Sequence, residues 1–301
     1  MNHELCCIGH ITLDKVTTPQ KTVFMPGGTS FYVSHAVKNF DDLDYALVTA
    51  VGQTERNTTI EMEANGMNIT VLPSAQSVFF ENIYGENVDE RKQRVWAKAD
   101  PFTVEQLQDT KAKIFHLGAL LADDFSLDVV KYLASKGLVS VDSQGYLREV
   151  RDTHVYAVDW PDKVEALRYI HFLKANEHEM EALTGYKDPA AAARQLHRWG
   201  VKEVLLTFGS RGSLIFNGDR LCHIPAYVPR QTVDSTGCGD TYVAGYLYKR
   251  CKGASIEEAG YFAAALATLK LENYGPVNAC IDDVLRVLTS YSQTQSIVYN
   301  M

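Results

Sequence analysis

The sequence predicts an α/β chain built on a mainly parallel sheet with a small accessory β-sheet. Short apolar runs alternate with helical patterns along most of the 301 residues, as expected when crossover helices join parallel strands. A glycine or a polar residue ends many of the apolar runs, as at Gly9, Gly52, Asp142 and Thr207. Residues 77–98 break the alternation, with two strand-like runs following one another. Composition fits a globular core: the chain is 46% hydrophobic and 22% charged, against typical values of about 45–50% and about 25%.

In order, residues 4–9 read as a short buried strand ending in Gly9, and residues 15–24 as short exposed strands. Pro26-Gly27-Gly28-Thr29-Ser30 breaks the chain before an apolar helix through Val37. A strand at 46–51 is closed by Gly52, and a helix over 54–65 is capped by Gly66. The runs 77–84 and 93–97 form a hairpin around a polar turn at 86–91. With the early strands it predicts a lid over about 11–26 and 76–98, carried by a single domain of residues 1–301. The alternation resumes with strands at 114–117, 138–142, 169–175 and 204–207 and helices at 127–135, 177–183 and 190–199. Residues 213–225 read as a hairpin turning at Asn217-Gly218. Helix patterns at 238–251, 255–271 and 281–290 follow, and the polar tail 291–301 is expected to be loosely held.

The net charge of −8 gives no basic face for nucleic acid. No apolar run approaches the roughly 20 residues of a membrane span, and residues 1–5 lack a signal-peptide pattern. Six scattered cysteines with no Cys-x-x-Cys predict reduced thiols in a cytoplasm rather than zinc or disulfide chemistry.

In open parallel sheets, ligands bind beyond the carboxyl ends of the strands. Glycines and polar residues recur there, at 9–14, Asp142, 176–179, 207–212 and 234–240. Asp234-Ser235-Thr236-Gly237-Cys238-Gly239-Asp240 reads as a loop turning into a helix start. Glycines allow close backbone approach, and a helix N-terminus offers unpaired N–H groups with positive dipole, so the stretch predicts an anion site. It lacks the lysine of a P-loop and the third glycine of a dinucleotide loop. Asp240 beside it reads either as a first-turn acid favouring the dipole or as a reactive carboxylate. Asn176 and Glu179 share a helix face and read either as a capping box or as oxygen ligands for Mg²⁺ held partly through water. The stretch 207–212 (Thr-Phe-Gly-Ser-Arg-Gly) reads either as a nucleotide-tracking loop or as a tight turn.

The order of these motifs resembles the PfkB (ribokinase-like) family of carbohydrate and nucleoside kinases, over nearly the whole chain. The stretch 234–240 is similar to that family's Asp-Thr-x-Gly-Ala-Gly-Asp signature, and Gly27-Gly28 to its glycine pair. Residues 9–14 match its Gly-x-x-x-x-Asp opening, 176–179 its Asn-x-x-Glu motif and 207–212 its Thr-x-Gly-x-x-Gly loop. The resemblance implies a ribokinase-like three-layer fold and an ATP- and Mg²⁺-dependent kinase acting on an alcohol. It implies Asp240 as the base, with Gly237, Cys238 and Gly239 as the anion hole. Asp14, Gly27, Gly28 and Tyr32 would bind substrate. Asn176, Thr207, Gly209, Gly212, Gly237 and Gly239 would bind nucleotide, and Asn176 and Glu179 would hold Mg²⁺ through water. A monovalent cation remains an open cofactor. The alternative is a non-catalytic ligand-binding or regulatory protein on the same fold.

Three departures bear on specificity. Cys238 replaces the family's usual Ala, adding a thiol that could be oxidised if exposed. Tyr32 and Ser34 replace the Asn and Ala of ribokinases, which argues against ribose. Phe31, Tyr32, Ser34, Phe79 and Tyr84 suggest a ring-faced pocket for an inositol, a nucleoside or a sugar with one apolar face. Residues 116–118 and 141–145 loosely resemble the inositol-kinase-like branch. Arg91, Lys92 and Arg94 would serve a phosphosugar substrate, or simply be a solvated turn. Exposed edges on the lid strands predict a homodimer through the lid.

Overall fold

The computed structural model describes residues 2–84 and 91–298, with side chains for 2–83 and 92–290. The polar turn expected at 86–91, the Tyr84 ring and the Arg91 side chain fall outside those parts. The chain divides into two compact units, Met1–Phe31 with Tyr45–Ile170, and Tyr32–Asp44 with His171–Met301.

The first unit begins with β1 (His3–Gly9), β2 (Thr12–Thr17) and β3 (Thr22–Gly27), and then the start of α1 (Thr29–Val37). There follow β4 (Tyr45–Val51), α2 (Arg56–Ala64), β5 (Ile69–Pro73), β6 (Val78–Tyr84), β7 (Arg91–Ala97) and β8 (Ala112–Gly118). The unit ends with α3 (Leu127–Ala134), β9 (Leu138–Asp142), β10 (Arg148–Arg151), β11 (His154–Ala157) and α4 (Lys163–Ala166). Its main strands run β9-β8-β1-β4-β5, all parallel. Leu5, Cys6, Cys7 and Ile8 on the central β1 are fully buried, as a strand covered on both faces requires.

Six further strands form a second sheet, ordered β10-β11-β7-β6-β2-β3. One face carries Val78, Phe80 and Val95, which pack with Ala99, Leu120 and Leu121 into a buried apolar cluster. The sheet is wider than the sequence predicts, because β10 and β11 join it. Their two-residue turn is Asp152-Thr153, with φ of 47° and 71°. Tight hairpins of this kind usually announce themselves with Asn-Gly or Asp-Gly, and a threonine at positive φ gives no such signal. The edge strand β5 was also not anticipated. It ends in Pro73, a residue that argues against a central strand and is tolerated at an edge.

The second unit contains β12 (Phe172–Asn176), α5 (Glu177–Thr184), α6 (Pro189–Arg198), β13 (Glu203–Thr207), β14 (Ser213–Phe216) and β15 (Leu221–Ile224). Three helices close it: α7 (Cys238–Cys251), α8 (Ile256–Leu271) and α9 (Ile281–Val298). Strand β12 pairs parallel with β13, and the β14–β15 hairpin adds antiparallel. Two expected boundaries move. The strand expected from residue 169 begins at Phe172, because 167–169 is a 3₁₀ turn. Helix α9 continues to Val298, into the tail expected to be loose. Gly245 lets α7 approach α8, since a Cβ there would lie 3.1 Å from the Ala263 Cα. Among the described residues no helix is long and apolar enough to cross a membrane.

Candidate active site

In the first unit the structure gathers Asp14, Gly27 and Gly28 around the end of β3. Thr12 Oγ1 donates to Asp14 Oδ1 at 2.6 Å. A Cβ on Gly27 would stand 2.6 Å from Asp14 Oδ2 and 2.9 Å from Thr12 Oγ1, so the absence of a side chain lets the carboxylate lie against the backbone. Gly28 has φ +88°, and a Cβ there would meet the His10 carbonyl oxygen at 2.7 Å. Sequence reasoning missed Thr12, whose alternation with Asp14 on one strand face was the available signal.

Phe79 is not placed with Asp14 as expected. Leu13 pairs with Phe79 and Asp14 with Phe80, so Phe79 lies on the opposite sheet face from Asp14. Phe79 instead lines a cavity of about 210 Å³ with Leu13, Gly52, Ser77 and Ala97. Phe31, Tyr32 and Ser34 are buried, at 7%, 2% and 0% exposure. Their strong apolar helix pattern drives them inward.

In the second unit Gly237 caps α7 with φ 76° and ψ 6°, a left-handed conformation that favours glycine. The ring of Tyr32 lies so close that a Cβ on Gly237 would fall 2.2 Å from its Cδ1. Tyr32 is therefore a wall behind the glycine loop. Cys238 and Gly239 open the helix, and Asp240 is the acid of its first turn, half-buried. Burial pushes the Cys238 thiol up to about 12, against the pull of the nearby Lys270 ammonium.

The loop is held from below. Asp234 Oδ1 accepts from the Thr236 amide at 2.9 Å, and its Oδ2 from the Gly275 amide at 3.3 Å. Lys270 Nζ donates to the Asp234 carbonyl at 2.9 Å, to Asp234 Oδ2 at 3.3 Å and to the Asn273 carbonyl at 3.1 Å.

Asn176 and Thr207 are register partners at the ends of β12 and β13. Asn176 and Glu179 make a full capping box: the Asn176 amide donates to Glu179 Oε2 at 2.8 Å and the Glu179 amide to Asn176 Oδ1 at 2.9 Å. Asn176 Nδ2 also reaches Glu179 Oε1 at 2.7 Å. Lys174, buried at 6% exposure, places Nζ 3.8 Å from Glu179 Oε2 and 3.1 Å from where a Gly239 Cβ would stand. Sequence reasoning missed this cation beside the glycine loop, although a charge inside the apolar run 172–175 was a visible signal. The 207–212 turn is tight. The Phe208 amide donates to the Gly212 carbonyl at 2.9 Å, Gly209 and Gly212 have φ of 56° and 85°, and Arg211 pairs with Glu177.

A metal finds few preformed ligands here. Among the described residues no group of three or more His, Cys, Asp or Glu converges. Asn176 and Glu179 fit Mg²⁺ only in the manner usual for that ion, which keeps waters and takes ligands from substrate phosphates.

A mainly parallel α/β frame with a second small sheet is the ribokinase-like fold, shared by small-molecule kinases. The pfkB family carbohydrate kinase pattern matches residues 2–283, and the chain belongs to that family. It is a phosphotransferase that acts on a hydroxyl group of a small molecule. It is similar to a cytidine kinase of Thermococcus kodakarensis, at 28% identity over 90% of this chain and 97% of the relative. Among solved structures it resembles a pyrophosphate-dependent kinase in the ribokinase family complexed with a pyrophosphate analogue and myo-inositol, with TM-score 0.82, 26% identity and coverage of 94% and 99%. Arabidopsis thaliana ribokinase, complexed with ribose and ATP, shares the fold at TM-score 0.76 and 21% identity, with coverage of 96% and 99%.

Proposed function

We propose that this chain is an ATP- and Mg²⁺-dependent kinase that phosphorylates a hydroxyl of a small polyol, sugar or nucleoside, on a single functional domain spanning residues 1–301. Asp240 is the base that takes the hydroxyl proton. The backbone amides of Gly237, Cys238 and Gly239 are the anion hole, and Lys174 neutralises charge on the transferred phosphoryl group. Asp14 and the Gly27-Gly28 backbone hold acceptor hydroxyls. Asn176, Thr207, Gly209 and Gly212 attend the donor, and Glu179 with Asn176 steers Mg²⁺ through water. The observation that carries the reading is the open start of α7, with Asp240 in its first turn and Lys174 against Gly239. Phosphoryl transfer asks mainly for positioning and charge neutralisation, and fixed amides at a helix N-terminus supply both without reorganising.

The donor has a second reading. The likeness to a pyrophosphate-dependent kinase makes pyrophosphate an alternative phosphoryl source on the same anion hole. The test is a screen of inositols, pentoses, hexoses and nucleosides with ATP and with pyrophosphate, repeated with Asp240→Asn. We expect turnover with one donor, and a loss of about 10²–10⁴-fold in the variant, the range removed with a general base, while donor affinity is kept. Wild-type turnover in Asp240→Asn removes the assigned role.

The proposed assembly is a homodimer through the second sheet. The face of that sheet opposite the Val78–Phe80–Val95 cluster exposes Phe24 and Trp96, at 62% and 50%.

A further inference from the structure

Lysine almost never reaches full burial unless its ammonium is paired. Lys270 does, at 0% exposure, and it does so directly under the glycine loop. Its three partners are two backbone carbonyls, of Asp234 and Asn273, and one carboxylate oxygen of Asp234. Three N–H donors meet three oxygens, which uses the whole donor inventory of an ammonium. Carbonyl oxygens at such distances are also the surroundings that replace the hydration shell of a potassium-sized cation.

The oxygens belong to the segment whose conformation sets the anion hole. Asp234 fixes the amides of Thr236 and Gly275 with the same carboxylate that receives Lys270. Val233 and Lys270 tie the loop to α8 from one side, since the Val233 amide donates to the Leu271 carbonyl at 2.8 Å. A positive charge here therefore does two things. It neutralises Asp234, and it locks the backbone that turns at Gly237 into α7. A free monovalent cation would find this cage already filled.

We propose that Lys270 is a tethered monovalent cation: its ammonium takes the place a free potassium, sodium or ammonium ion would hold beneath the anion loop, so the kinase needs no such ion. Lys270 is thus a positioning residue, acting through Asp234 on the loop amides. A tethered cation is present at every turnover, whereas a free one would be bound only in proportion to its concentration. The inference rests on the reading of residues 237–240 as the phosphoryl site.

The test uses the whole chain in tetramethylammonium, sodium, potassium and ammonium salts at equal ionic strength. Calorimetric affinity is measured for ATP with Mg²⁺ and for pyrophosphate with Mg²⁺, alongside turnover on the acceptor from the screen. Wild-type affinity and turnover should agree within about twofold across the four salts. Lys270→Met should weaken donor binding or turnover by about tenfold to a hundredfold, the effect of a small displacement in a catalytic array. Lys270→Ala, which leaves room for an ion, should recover in potassium or ammonium but not in tetramethylammonium. A wild type that loses tenfold in tetramethylammonium and regains it with potassium overturns the proposal, as does Lys270→Met with wild-type donor affinity and turnover. If the variants fail to fold, the wild-type salt series decides alone. A wild type that binds neither donor in any salt defeats the reading of the phosphoryl site itself, which is a different result from salt dependence.

Discussion

Cys238 stands between the two glycines that carry the proposed anion hole, where a small side chain is needed and a reactive one would be a hazard. The thiolate, not the thiol, is the species that alkylates or oxidises. Desolvation is the larger influence on Cys238 and outweighs the pull of Lys270, so the thiol sits at about 12 and stays protonated through the neutral range. Cys280, by contrast, is exposed. Iodoacetamide at pH 8 should therefore modify Cys280 well before Cys238, and Cys238 should gain reactivity only as pH rises toward 12. Peptide mass spectrometry after timed quenching reads both rates. Rapid labelling of Cys238 at pH 8 would show a thiolate in the loop and return a redox role to this position.

The start of α7 depends on a contact that only glycine permits. With φ at 76° and the Tyr32 ring at 2.2 Å from a would-be Cβ, Gly237→Ala must move either the ring or the loop. We expect a stability loss of about 1–3 kcal/mol, the cost of a strained backbone position, together with loss of donor binding. Thermal melting and calorimetry measure the two, and an unchanged variant would mean that the loop is free to relocate. Much of this element was legible in advance. The helix read at 238–251 from its glycine start and apolar pattern is α7 at those bounds, and the helix read at 177–183 is α5, which Gly185 caps in the left-handed conformation. Local patterns are readable because caps and periodicity are local physics. The two buried lysines were not read, since each also lies against a segment distant in sequence, Lys174 beside Gly239 and Lys270 beside Asp234. Yet Lys270 continues the inward stripe of Ala259, Ala263 and Leu266 on α8, at the spacing that keeps a residue on the core face. The Asp152-Thr153 hairpin left no comparable trace, because its turn uses residues that do not ordinarily take positive φ. Phe79 was grouped with Asp14 for another reason: a list of aromatic residues does not say which face of a strand each occupies.

Across the whole molecule, the second sheet raises the question of what its open face meets. Phe24 lies on β3, an edge strand of that sheet, with its ring 6.4 Å from Phe79. Trp96 donates its indole N–H to Glu81 Oε2 at 3.0 Å, and Lys15 donates to Glu81 Oε1 at 2.7 Å. The salt-bridged carboxylate thus sets the indole in place while half of Trp96 stays exposed. Burying an aromatic side chain of this size contributes about 1.5–3 kcal/mol, and large aromatic residues are frequent anchors of protein interfaces. A second copy of the chain offers the same aromatic face, and a two-fold contact would bury both. Light scattering behind size-exclusion chromatography should then give a mass twice the 33.6 kDa of the chain. Phe24→Glu with Trp96→Glu should shift it to the single-chain mass while the melting temperature stays near that of diluted wild type, since neither side chain supports the buried cluster beneath. A concentration-independent single-chain mass for the wild type would leave this face to some other use and remove the dimer.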